Sequence, residues 1–186
     1  MKLLRRRGKP VALGVLAGSL AYSLAGCGGN SGPVTDGPLS GGSFGSPGGS
    51  IVCVPGRVGQ PFAFGVDTFT NHGHVTIMLD RVALLHPRHE RLIGSYAVPG
   101  LYMVGAVHWP PRNPPTSRNW KDRQPVHGFR LAPGKTFNMV VGLIATARGR
   151  ATSQGMRIYY HDTAGSSYLA LDHNKMLIDT TKRGCN

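Results

Sequence analysis

Between Thr136 and Ala147, the side chains of Phe137, Met139, Val141, Leu143 and Ala145 recur at every second position. That is the period of a strand with one face turned to a core, and no amphipathic helix can use it. Shorter runs repeat the pattern. Phe62, Phe64 and Val66 share one face, as do Val75, Ile77 and Leu79, with Val82 to Leu85 extending or bending the latter strand. Ile51–Val54, Leu101–Trp109, Met156–His161, Tyr168–Asp172 and Met176–Ile178 complete the set. Pro55-Gly56, Thr70-Asn71-His72-Gly73, Ala132-Pro133-Gly134-Lys135 and Thr163-Ala164-Gly165-Ser166 supply turn chemistry between them. The spacing predicts two hairpins, one joining 62–69 to 75–85 and one joining 156–161 to 168–172. About seven or eight short strands with no helical stretch point to an all-β domain. An immunoglobulin-like β-sandwich is the expected architecture, with a small closed barrel as the alternative.

The first residues follow other rules. Lys2, Arg5, Arg6, Arg7 and Lys9 precede a mostly apolar run from Val11 to Ala25, too short to cross a bilayer comfortably and shaped like a secretory signal. Gly8-Lys9-Pro10 follows the arginines where a twin-arginine signal would carry an apolar residue, which favours the general secretion route. From Gly28 to Ser50 the chain is rich in glycine, serine and proline, with too little apolar surface to offset the entropy of folding. The expected organisation is a signal peptide over 1–26, a disordered tether over 27–50 and a folded domain over 51–186.

The apolar run closes on Leu24-Ala25-Gly26-Cys27, which resembles the lipobox of bacterial lipoprotein precursors. The resemblance covers only the first 27 residues. It implies cleavage before Cys27, a diacylglycerol on the Cys27 sulfur, palmitate among its acyl chains, and residence on the outer face of the bacterial cytoplasmic membrane. No cofactor is expected beyond that covalent lipid. The competing reading of Cys27 is an ordinary thiol at the end of an uncleaved anchor.

Two cysteines remain, Cys53 and Cys185. In an oxidising compartment an even pair is most simply a disulfide; free thiols or metal ligands are the alternative. Five of the 21 basic residues precede Cys27, leaving 16 against eight acidic ones and a net charge of +8 on the mature chain. A basic domain beside a membrane is drawn towards anionic headgroups and polyanionic envelope polymers. Export argues against nucleic acid as the partner.

Histidine is the main reactive resource. His72-Gly73-His74 and His86-Pro87-Arg88-His89 flank one predicted strand. The pairs can ligate copper or zinc as two separate sites, with Met78, Met103, Met139 and Met156 as possible soft ligands for Cu(I), or they are solvated turn residues. The loop 109–121 carries Trp109, Arg112, Arg118, Trp120 and Lys121 among prolines that forbid a sheet interior. It either grips a sugar or protein partner or closes one end of the sandwich. Gly41-Gly42-Ser43-Phe44-Gly45 matches G-x-S-x-G without the flanking strand and helix that a nucleophile elbow needs. Asp67, Asp80, Asp122, Asp162, Asp172 and Asp179 stand apart in sequence, and no nucleophile is marked out. The expectation is a non-enzymatic surface lipoprotein that binds an envelope component or protein, with a metal-binding protein and an envelope hydrolase as rivals.

Overall fold

The computed structural model of the chain describes residues 37–42, 49–101, 103–111, 120–182 and 184–185, all within one compact unit. Strands are β1 (Leu39–Gly41), β2 (Ile51–Pro55), β3 (Pro61–Asn71), β4 (Ile77–Leu84), β5 (Glu90–Pro99), β6 (Gly105–His108), β7 (Gln124–Pro125), β8 (Arg130–Leu131), β9 (Thr136–Ala145), β10 (Arg150–Ser153), β11 (Met156–Asp162), β12 (Ser167–Asp172) and β13 (Lys175–Asp179). Helix among the described residues is confined to one 3-10 turn, Trp120–Asp122. The largest sheet runs β1-β3-β9-β5-β7, with β6 paired to the other half of the β3 edge that carries β1. A four-stranded sheet runs β12-β11-β4-β8 and a three-stranded one β10-β13-β2, the β13–β2 pair being parallel.

The core is the space between the large sheet and the two smaller ones. Phe64, Phe69, Phe137, Met139 and Leu143 enter it from one layer; Ile77, Leu79, Met156, Ile158, Tyr160, Met176 and Ile178 enter it from the other. All are essentially inaccessible to water, and each large side chain so removed stabilises the fold by about 1.5–3 kcal/mol. The arrangement is an all-β sandwich, as the strand periodicity predicts. β9 lies at its centre, and every second residue from Phe137 to Ala145 does face the core.

β9 is also buried on its other side, where Val140 joins Ala63, Val98, Val104 and Trp120 in a second apolar cluster against Tyr96, Val107 and Trp109. Trp109 forms a cis bond to Pro110 and lies over Gly94 and Gly142, where any Cβ would run into the indole. Two bare positions on neighbouring strands, β5 and β9, let a tryptophan lie against the sheet.

Four expectations need correction. Residues 39–41, assigned to the tether, are strand β1: Leu39 is buried in the core, its amide donates to the Tyr160 hydroxyl, and Pro38 accepts from the His72 amide. Gly41 and Gly42 sit at positive φ, and a Cβ on Gly41 would strike the Thr68 carbonyl. Those glycines permit close backbone approach instead of supplying slack. The hairpin between 62–69 and 75–85 does not form: β3 pairs with β9, while β4 pairs with β11 in the opposite layer. Alternation marks a face and not a partner. The crossover between layers is fixed by buried Asn71, whose side-chain amide donates to the carbonyls of Val75 and Leu131 and whose Oδ1 accepts from Gly73. The predicted set of strands is incomplete: β5, which starts at Glu90 just after His86–His89, and β7, β8 and β10 are strands that the alternation does not mark. The strand sought over 101–109 is limited to Gly105–His108.

Candidate functional site

Cys53 and Cys185 are joined in a disulfide. Cys27 lies outside the described residues, as do Arg112 and Arg118. His72 and His74 are exposed in the β3–β4 turn, and His86 and His89 are exposed in the β4–β5 connection with left-handed backbones. β4 separates the pairs, and no group of three His, Cys, Asp or Glu among the described residues is placed to hold a metal ion. Met139 and Met156 are fully buried core residues. Trp120 is buried, edge-on to Tyr96 with ring centroids 5.7 Å apart, and Trp109 stacks on Tyr96 at 5.5 Å. Arg123 lies over Trp120, 4.8 Å from its ring centroid. The indoles therefore belong to the cover of the large sheet, and of the described residues of that set Lys121 is the exposed one.

The richest polar constellation is on the outer face of the four-stranded sheet. Along β11, Met156, Ile158 and Tyr160 point inward, so Arg157, Tyr159 and His161 point outward. Register sets their neighbours. Arg157 stands opposite Leu171 and Ala83, Tyr159 opposite Leu169 and Arg81, and His161 opposite Ser167 and Met78. Beyond Met78, β8 contributes exposed Arg130.

A register shift at Tyr159/Tyr160 leaves Asp80 as an extra residue on β4, as in a β-bulge, which re-aims a side chain. The Asp80 Oδ1 lies 2.8 Å from Nδ1 of His161, and the Asp80 carbonyl lies 3.1 Å from Nδ1 of His127. The Arg81 guanidinium lies 3.6 Å from the centroid of the Tyr159 ring. A cleft of about 230 Å³ opens here, lined by Asp80, Arg81, Tyr159, Tyr160, Ser167 and Tyr168. Sequence reasoning missed this face, although Arg157, Tyr159 and His161 at alternate positions mark a polar strand face.

A second set is interior. Asp67, Asp172 and Asn174 are almost wholly buried beneath β1. The Asn174 side-chain amide donates to the Gly42 carbonyl and to the Asp67 carboxyl, while its Oδ1 accepts from Ser50. Burial pushes Asp67 above the carboxylate range, against hydrogen bonds from Asn174 and Asp172. Burial, and then the charge of Asp67, push Asp172 higher still. Two carboxylates in one dry site cannot both ionise cheaply, so the pair shares a proton and releases it at higher pH than isolated carboxyls would. Beside them a cleft of about 190 Å³ is lined by residues that include Asp67, Thr68, Thr70 and His72. Asp162 behaves oppositely: burial alone would raise it, but donors at Ser166, Tyr168, Ala164 and Gly165 hold it below the usual value.

No family model and no curated protein matches the chain. Among solved structures it is similar to PapD-like domain 7 of human CEP192, with a TM-score of 0.40 and 11% identity over 93% of this chain and 98% of that one. It is also similar to the VesB protease of Vibrio cholerae, with a TM-score of 0.39 and 13% identity over 77% of this chain. The chain spans only 32% of VesB. Likenesses at this distance assign no activity.

Proposed function

We propose that the chain is an exported lipoprotein, held by acyl groups on Cys27 at the outer face of the cytoplasmic membrane, whose β-sandwich binds an envelope component without transforming it. The observation that supports this best is the Cys53–Cys185 bridge. Disulfides persist in exported proteins, and this one uses both cysteines other than that of the lipobox-like Leu24-Ala25-Gly26-Cys27. With β1 docked, the connection from Cys27 to the domain shortens to residues 28–36. Nine residues in any conformation span at most about 30 Å. The domain then works close to the bilayer surface, where its positive charge counts most. Metabolic palmitate labelling with intact-mass analysis tests the reading. The wild-type chain is expected to carry lipid and sediment with membranes, and Cys27→Ala to lose both properties. A mature wild-type chain without lipid overturns it.

A hydrolytic reading has one observation in its favour: His161 stands opposite Ser167 of β12 and is bonded to Asp80 of β4. Ser167 forms no hydrogen bond with His161, so the nucleophile is not yet activated in this arrangement. A fluorophosphonate probe that labels wild type and not Ser167→Ala would support hydrolysis. Absence of labelling would leave binding as the reading.

A further inference from the structure

We propose that the outer face of the β12-β11-β4-β8 sheet is a binding site for a linear polyanion bearing phosphate or carboxylate groups, with Arg81 as its anchor. The inference rests on the binding reading above and specifies its site and ligand chemistry.

Arg81 is exposed and ordered at once. Its guanidinium lies over Tyr159, 3.6 Å from the ring centroid, a contact that restrains the side chain without using its N–H donors on an acceptor. Among the described residues it has neither an ion pair nor a hydrogen-bonded acceptor. A preordered guanidinium fork loses little entropy when it closes on two oxygens of one phosphate or carboxylate. Among the described residues the one acidic side chain on this face, Asp80, is already bonded to His161.

Arg81 is also not alone. Register places Arg157 one row away on β11 and Arg130 in the row of Met78, on β8, so three guanidiniums on three strands form a diagonal. At strand separations near 4.8 Å and about 3.4 Å per residue, the Arg81 Cα is about 8 Å from that of Arg157 and about 8–11 Å from that of Arg130, whose row lies three residues along β4 across the bulge. A single small anion engages one of these; a chain of regularly spaced anions engages all three. Ser167 and the exposed apolar surface of Leu171 complete the face, offering a hydroxyl and a dry patch to the backbone of a polyol or sugar polymer.

The test is binding of the full chain, purified in neutral detergent, to three immobilised probes: poly(glycerol phosphate), a polyuronate of similar length, and vesicles containing phosphatidylglycerol. Capture by either polymer is expected, and the two polymer arms tell phosphate from carboxylate recognition. Affinity should fall at least tenfold in Arg81→Gln, several-fold in Arg157→Gln, and by less than twofold in Arg57→Gln, which removes the same charge from the β2–β3 connection. The decline of log K with log salt should flatten by about one in Arg81→Gln. Equal losses in Arg81→Gln and Arg57→Gln, or capture by vesicles alone, overturn the proposal. Unchanged thermal melting of the variants excludes unfolding as the cause. If an Arg81→Gln/Arg157→Gln double variant still captures an envelope component, binding function stands and this site falls.

Discussion

Glu90 illustrates how a single side chain can set the pH response of the domain. It enters β5 opposite Ala145 on the core face, is buried, and neither carboxylate oxygen has a formed hydrogen bond. Burial raises its pKa to about 7 from 4.5, with the Ser153 hydroxyl pulling the other way. Between those two values the folded chain keeps a proton that the unfolded chain has lost. The stabilisation is therefore complete below pH 4.5, falls as pH rises through 7, and is gone above it. At about 1.4 kcal/mol per pK unit the effect is roughly 3 kcal/mol. Glu90→Gln should be close to neutral at pH 4.5 and stabilising by about 2–3 kcal/mol at pH 8, measured by urea unfolding at both values. Equal stability of variant and wild type at pH 8 would mean that Glu90 finds a partner when ionised. The Asp67–Asp172 pair adds to the same trend, because burial raises both groups and each ionisation opposes the other. Asp172→Asn should raise the midpoint most at alkaline pH, and a uniform shift at all pH values would contradict the shared proton.

At the scale of elements, the sequence shows which residues face a core and conceals which strands meet. Phe137 to Ala145 alternate in the chain as they do in β9, and the β11–β12 hairpin follows from two adjacent runs around a turn. β5 was hidden because Glu90, Arg91, Gly94 and Ser95 break its pattern, and Gly94 is bare only to admit a tryptophan brought by a distant segment. β1 was hidden because close-approach glycines and linker glycines look alike in composition. The same blindness covers both candidate sites. Asp67 and Asp172 are 105 positions apart, and Asp80 meets His161 only because of a register shift that no local pattern announces. These elements make two predictions. Leu39→Ala, in a segment that looks dispensable, should cost about 2–3 kcal/mol, as a buried leucine does; an effect near zero in urea unfolding would return β1 to the tether. Gly142→Ala should displace Trp109 from the sheet, shifting its fluorescence to the red as the indole meets water, while the far-ultraviolet strand signal stays unchanged.

For the whole molecule, the decisive contact is between the start of the domain and its end. β2 and β13 pair in parallel, with Cys53 opposite Leu177, and the disulfide to Cys185 closes 132 residues of chain. Parallel neighbours cannot be joined by a tight turn, so this sheet edge depends on a loop closure that the rest of the domain must hold. In the chain-entropy picture a loop of that length is worth up to roughly 5 kcal/mol, and 2–5 kcal/mol is typical for a native bridge. The loss on reduction should also be uneven. β10 stays paired to β13 through four register positions and β9 stays buried on both faces, whereas β2 has β13 as its one strand partner among the described residues. Hydrogen exchange on the reduced chain, or on Cys53→Ala/Cys185→Ala, should therefore show protection collapsing first in 51–55 and at those amides of 175–179 that face β2, while the β13 amides facing β10 stay protected. Amides of 137–145 should keep the global value, lowered by the same few kcal/mol that urea unfolding reports. A uniform loss across all strands would mean that the bridge acts only through the unfolded chain. Unaltered protection at β2 would mean that the parallel pair holds without it.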